Sequence, residues 1–230
     1  MRLDRFLANL PTYNRQHVRL LLAQRRVRVD GQATADPLHE VREFSRVEVD
    51  DQLLQAGRAA RYLMLHKPTG CVSATRDPQH RTVLDLLPRE LHEDLHIAGR
   101  LDYNTTGLML LTNDGQWSRR LTQPRTRLEK IYRVRTEAPI GEHYIDKFHE
   151  GFYFAFEDLT TLPARLEIIG PHEARLAIVE GRYHQVKRMF GYFQNKVVAL
   201  HRERMGPIAL DPALAPGQFR ALTAQEIALI

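Results

Sequence analysis

The 230 residues suffice for one large domain or a small one plus a medium one around a real hydrophobic core, and 43% apolar with 27% charged residues is ordinary for a globular protein. No apolar run approaches a membrane span, Met1-Arg2-Leu3-Asp4 begins no signal peptide and the lone Cys71 excludes a disulfide framework, so a cytoplasmic protein without a membrane partner is expected. The net charge of +5 hides a sorting into blocks: residues 1–28 carry seven arginines against Asp4, residues 117–135 seven basic residues against Glu129, and residues 182–204 six against Glu203, the footprint of a polyanion binder.

In chain order, residues 3–10 place Leu3, Phe6, Leu7 and Leu10 on one helical face, and Pro11 ends the pattern. Asn14 is placed to cap a second helix through about Gln24, with Val18, Leu21 and Leu22 inward and Arg15, Arg19, Arg25 and Arg26 outward. Val27-Arg28-Val29 alternates into the hairpin turn Asp30-Gly31, and Ser45 to Asp50 alternates again. This helix, helix, strand, turn, strand unit resembles the alpha-L RNA-binding module of a small-subunit ribosomal protein and of tyrosyl-tRNA synthetases. The resemblance implies that Arg15, Arg19, Arg25, Arg26 and Arg28 face RNA phosphates, which the guanidinium fork can engage bidentately. Periodicity fades from Asp50 to Ala60, around Gly57, so a linker is expected there, between a domain over 1–58 and a second over 59–230.

The second domain opens with a strand, Tyr62 to Leu65, running into the turn Lys67-Pro68-Thr69-Gly70. Thr82 to Leu87 reads as a short helical segment with Thr82 and Asp85 at capping-box spacing. His92-Glu93-Asp94-Leu95-His96 matches the HExxH pattern of zinc peptidases, with Gly99 and Asp102 at the extended positions. That chemistry needs both histidines on one face of a sound helix. Pro88 and the loop-like pattern from Ile97 leave barely two turns for it.

Gly99 to Gly115, GRLDYNTTGLMLLTNDG, reads as loop, buried strand and turn: the run Leu108 to Leu111 is short, continuous and bounded by turn residues. Asp102 then lies on a loop beside a core strand, next to Arg100 and to glycines that permit close approach of a ligand. Trp117 to Leu121 reads as a short helix with Arg119 and Arg120 exposed, and Glu129 to Val134 as a strand carrying Tyr132. Pro139 to Leu162 is the least legible region; its aromatic cluster Phe152-Tyr153-Phe154-Phe156 suggests a buried strand or bend. Residues 164–169 and 174–179 read as a strand pair leading into Glu180-Gly181-Arg182-Tyr183-His184-Gln185-Val186-Lys187-Arg188. Val197 to Leu200 is a strand before His201-Arg202-Glu203-Arg204-Met205-Gly206-Pro207, and a short strand from Gly217 with a helix over Thr223 to Ile227 ends the domain.

GRLD with its TTG turn and TNDG end, the Lys67-Pro68-Thr69-Gly70 turn, Tyr132 on its strand, the EGR…HQVKR string and the HRERMG ending together resemble the RsuA-type ribosomal RNA pseudouridine synthases, over nearly the whole chain. The resemblance implies an α+β fold: a small alpha-L-type module followed by a mainly antiparallel mixed sheet flanked by helices. It implies an isomerase without cofactor or metal, with Asp102 as catalyst, Tyr132 against the target uracil, Val186 packing near the base and Lys187 as the basic partner of Asp102. Many relatives carry arginine at that position, so Arg188 competes for the partnership and is otherwise an RNA contact. Arg100 is expected to fill the gap left by a flipped nucleotide. Within the family, the compact length, the amino-terminal module and HRERMG most resemble the type acting on uridine 516 of 16S rRNA, rather than its 23S relatives. The implied partner is therefore 16S rRNA or a small-subunit assembly intermediate, met by a monomer. A non-catalytic RNA-binding or assembly protein of the same fold and the zinc peptidase remain as alternatives.

Overall fold

A computed structural model describes residues 1–230, which fold as two compact units, Met1–Ala60 and Arg61–Ile230. In the first, α1 (Leu3–Ala8) and α2 (Arg15–Ala23) precede β1 (Val27–Val29), β2 (Gln32–Thr34), β3 (Val47–Val49) and β4 (Gln52–Gln55). The Asn14 side chain accepts from the His17 amide at 2.8 Å, capping α2 as its residue type predicts. Asp30 and Gly31 take φ of +52° and +79°, the left-handed pair that closes a two-residue hairpin. Leu3, Leu7, Val18, Leu21, Leu22, Val27, Val29, Val47 and Val49 form the core.

The expected linker over Asp50 to Ala60 is in part a strand. Asp50 and Asp51 (φ +48° and +66°) make a second hairpin turn, and β4 pairs with β3 to give the sheet order β2-β1-β3-β4. Gln52-Leu53-Leu54-Gln55 is an edge strand with no fully buried residue, so it carries no alternation to read.

The second unit runs β5 (Tyr62–Lys67), β6 (His96–Ala98), β7 (Thr106–Thr112), α3 (Gly115–Thr122), β8 (Lys130–Thr136), α4 (His143–Glu150), β9 (Tyr153–Phe154), β10 (Leu159–Thr160), β11 (Arg165–Gly170), β12 (Glu173–Ile178), α5 (Gln185–Gly191), β13 (Val197–Met205), β14 (Ile208–Ala209), β15 (Phe219–Ala221) and α6 (Ala224–Ala228). Its main sheet has the order β11-β12-β8-β13-β7-β5-β15, with β6 beside β7 and β14 beside β13; only the β13–β7 pairing is parallel.

β7 is buried on both faces and divides the core. Met109 and Leu111 join Leu65, Tyr132, Val134, Phe148, Val186 and Phe190 on the side of α4 and α5, while Leu108 and Leu110 join Trp117, Leu121 and Met205 on the side of α3. Asp114 caps α3 by accepting from the amides of Gln116 and Trp117 at 2.9 and 3.0 Å. The expected α+β architecture is present.

α4 lies in the stretch Pro139 to Leu162, where the sequence shows no clear pattern, because it buries only Tyr144 and Phe148 among charged residues. The aromatic cluster after it supplies β9, with Phe152 and Phe154 buried, in line with the strand or bend expected there. β13 extends through the whole of His201 to Met205, twice the expected length. The HExxH residues share no helix, since the 3-10 turn Arg89–Leu91 stops at His92, Asp94 takes φ +65° and His96 opens β6. His92 Nε2 contacts the Leu87 carbonyl at 2.9 Å, so the frame that a zinc site requires is missing.

Candidate active site

The loop that carries Asp102 joins β6 to β7, and its shape follows from a change of partner along β7. That strand pairs in parallel with β13 at Thr106 and Gly107, then antiparallel with β6 from Leu110 onward. The side chain of Arg202 fills the gap. Its Nε donates to the Leu108 carbonyl at 2.8 Å and its Nη1 to the Arg100 carbonyl at 3.4 Å, which ties the start of the loop to the strand. Close approach of β13 to β7 requires Gly107: at φ +109°, a Cβ there would lie 2.3 Å from the Arg202 carbonyl oxygen.

Lys67 holds the loop from the other side. In register with Gly107 across the β5–β7 pair, it is fully buried, and its ammonium lies within 2.9 to 3.2 Å of the carbonyls of Pro68, Asp102, Tyr103 and Thr105. Burial pulls its pKa below the ordinary lysine value, against the opposing influence of Cys71 and Asp102. Ser73 completes the frame: its hydroxyl donates to the Leu101 carbonyl at 2.5 Å and accepts from the Leu101 amide at 2.9 Å.

Held in this way, the Asp102 carboxylate meets the start of α5. Lys187 Nζ lies 3.0 Å from Oδ2 and His184 Nε2 lies 3.6 Å from Oδ1. The turn before α5 is rigid for its own reasons. Gln185 donates to Glu180 Oε1 at 2.8 Å and accepts from the Arg182 amide at 2.9 Å, the Leu162 amide donates to Glu180, and His184 sits in the left-handed region at φ +48°. The Tyr183 ring stacks on the His184 imidazole, with centroids 3.9 Å apart.

Among the expected substrate contacts, Val186 is buried in the same core as Tyr132 and Leu101. Tyr132 belongs to one register row across four adjacent strands, Lys67, Gly107, Arg202 and Tyr132, and its hydroxyl makes no hydrogen bond. Arg100 is exposed and forms no ion pair. Arg188 turns away from Asp102: it forms a two-pronged ion pair with Glu157 at 2.6 and 2.7 Å and lies 3.5 Å from the centre of the Phe154 ring. The competition for Asp102 is thus decided for Lys187. The expected phosphate contact at Arg188 does not fit a guanidinium already paired and stacked, which instead fastens α5 to the β9–β10 hairpin.

The five amino-terminal arginines are all exposed in the first unit. Arg26 pairs with Asp50 and Arg28 with Asp51, while Arg15, Arg19 and Arg25 carry no ion pair. In the second unit, two cavities of about 600 and 770 Å³ both lie apart from Asp102, whose side chain is partly buried.

The arrangement is one carboxylate aligned by an ammonium on a loop locked by two buried cations. Residues 61–192, which hold all of it except Arg202, match the family model described as RNA pseudouridylate synthase. The chain belongs to the RNA pseudouridylate synthase family. A relative from Pseudomonas aeruginosa, "Ribosomal small subunit pseudouridine synthase A", is 68% identical over 227 residues, covering 99% of both chains. The protein of that name from Escherichia coli K12 is 46% identical over 230 residues, covering all of both. A solved structure described as a pseudouridylate synthase is 39% identical, with a TM-score of 0.73 over the full length of both chains. The chain is accordingly an isomerase acting on RNA.

For a pseudouridine synthase, the residues that sequence reasoning left without a role are Lys67, Ser73, Arg202, Tyr183 and His184. Four of them lie inside strings noted for their resemblance, so the signal was present. Their geometry was hidden, because a lysine before proline and an arginine in His-Arg-Glu-Arg both read as exposed.

Proposed function

We propose that this chain converts uridine 516 of 16S rRNA to pseudouridine, with Asp102 as the group that acts on the nucleotide. The observation that carries the proposal is the 3.0 Å ion pair of Asp102 with Lys187 on a loop whose backbone is fixed from both sides. The names of the full-length relatives support the small subunit as target.

The reaction breaks the bond from N1 to the ribose, turns the uracil and joins C5 to the same sugar carbon. The C5 proton leaves and N1 gains one, so no electrons or added groups are exchanged. A carboxylate can begin this by attacking the sugar or by removing a proton as the glycosidic bond breaks, in either case meeting an oxocarbenium-like centre. Lys187 orients Asp102. The target nucleotide must leave its stack to be reached, with the Tyr132 ring against the extruded uracil, Val186 packing beside it and Arg100 in the vacated gap. Arg15, Arg19, Arg25, Arg26 and Arg28 contribute phosphate contacts that orient the RNA without reading its sequence.

The non-catalytic alternative has nothing to recommend an aligned ion pair at the GRLD aspartate. In a 16S transcript tritiated at uridine C5, the native protein is expected to release tritium, and Asp102→Asn to release none while binding RNA within a few fold. Turnover by Asp102→Asn would remove that residue from the mechanism.

A further inference from the structure

Tyr183 is 75% exposed. One of its faces rests on the His184 imidazole at 3.9 Å with an interplanar angle of 22°, and the imidazole in turn reaches Asp102 Oδ1 at 3.6 Å. The ring-to-ring spacing is close to the roughly 3.4 Å rise of stacked nucleotides. Imidazole and phenol therefore form two stacked layers, the imidazole edge reaches the carboxylate, and most of the phenol surface is exposed.

The base beneath this stack is rigid. Glu180, Gln185 and the Arg182 amide are mutually hydrogen-bonded, and Arg182 is held to Glu180 at 3.1 Å. A ring presented on a fixed turn loses little freedom when a ligand stacks on it, which is the property that makes aromatic platforms effective for single-stranded nucleic acid. Extruding one nucleotide also leaves the adjacent base without a neighbour on one side.

We propose that Tyr183 is the seat for the nucleobase next to the target uridine in the chain, a stacking subsite for an unpaired base of either type. His184 backs the ring and spaces it from Asp102. The proposal rests on the reading that Asp102 acts on an extruded uridine.

The test uses the full-length protein and tritium release from 16S transcripts assembled by ligation, so that the nucleotide on the 5′ or 3′ side of the target can be made abasic. Tyr183→Ala is expected to raise KM by about tenfold or more, with kcat within about twofold, and Tyr183→Phe to behave as native protein. On one of the two abasic substrates the native protein should show the same rise in KM, and Tyr183→Ala should add nothing to it. An unchanged KM for Tyr183→Ala, a loss confined to kcat, or penalties that multiply on both abasic substrates would overturn the subsite. If the native protein releases no tritium from the intact transcript, either free or assembled with small-subunit ribosomal proteins, the 16S reading fails, and the proposal falls with it for that separate reason.

Discussion

Lys67 and Arg202 are both almost wholly buried and neither forms an ion pair. Placing an unpaired cation in the interior is costly: Lys67 offsets this by pointing its ammonium at four backbone carbonyls, and Arg202 by directing Nε and Nη1 to the Leu108 and Arg100 carbonyls, while its Nη2 is buried without a partner. The position most sensitive to a single added atom is Gly107. Gly107→Ala puts a methyl 2.3 to 2.5 Å from the Arg202 backbone at φ +109°, and is expected to destabilise the protein by on the order of 3–5 kcal/mol, read as a fall in urea midpoint. A midpoint equal to the native one would mean that β13 and β7 do not approach as described. Asp102 and its flanking glycines were legible because turn residues and an apolar run bracket them. The clamps were not: His201-Arg202-Glu203 alternates as any half-exposed strand does, and only the switch of β7 from one partner strand to another reveals why that arginine turns inward.

At the scale of elements, the carboxyl-terminal helix α6 shows how a weak helix is held. Thr223 and Glu226 form a reciprocal capping box, Arg220 grips both Glu226 oxygens at 2.8 Å, and Trp117 Nε1 donates to the Ile227 carbonyl at 3.1 Å. The Arg220 guanidinium, reinforced by the Thr223 amide, lowers the Glu226 carboxyl from 4.5 to about 2. A carboxyl depressed by folding stabilises above its unfolded value of 4.5, and that contribution disappears as pH falls from there toward 2. Allowing for solvent around the pair, about 2 kcal/mol is at stake. Thermal melts should therefore show Glu226→Gln less stable than native protein at pH 6 and nearly equal to it at pH 2.5; an undiminished gap at low pH would contradict the linkage. Caps of this kind were readable, as with Asn14, Thr82 with Asp85, and the Asp30-Gly31 turn, because they are local. α4 and β4 were not: each shows too few inward residues to display a period.

At the scale of the molecule, the basic blocks in the sequence overstate the free charge. Arg133 pairs with Glu173, Arg182 with Glu180 and Arg188 with Glu157, and Arg202 is buried. Most of these partners come from other strands or loops, so a linear charge count cannot see them. The first unit differs, with Arg15, Arg19 and Arg25 exposed and unpaired. Each unit has its own core, so removal of residues 1–60 is expected to leave the second folded. That deletion should weaken binding to 16S rRNA and reduce the slope of log affinity against log salt by roughly 3.5 to 4.5, about 0.7–0.9 for each of the five lost phosphate contacts. An unchanged slope would take the amino-terminal unit out of RNA capture. The central claim is tested most directly by mapping every pseudouridine in 16S rRNA from cells lacking this protein, complemented with the native chain or with Asp102→Asn. One position, uridine 516, should be unmodified in the deletion strain, restored by the native chain and left as uridine by the variant; restoration by Asp102→Asn, or an unaltered 16S map in the deletion strain, would contradict the account.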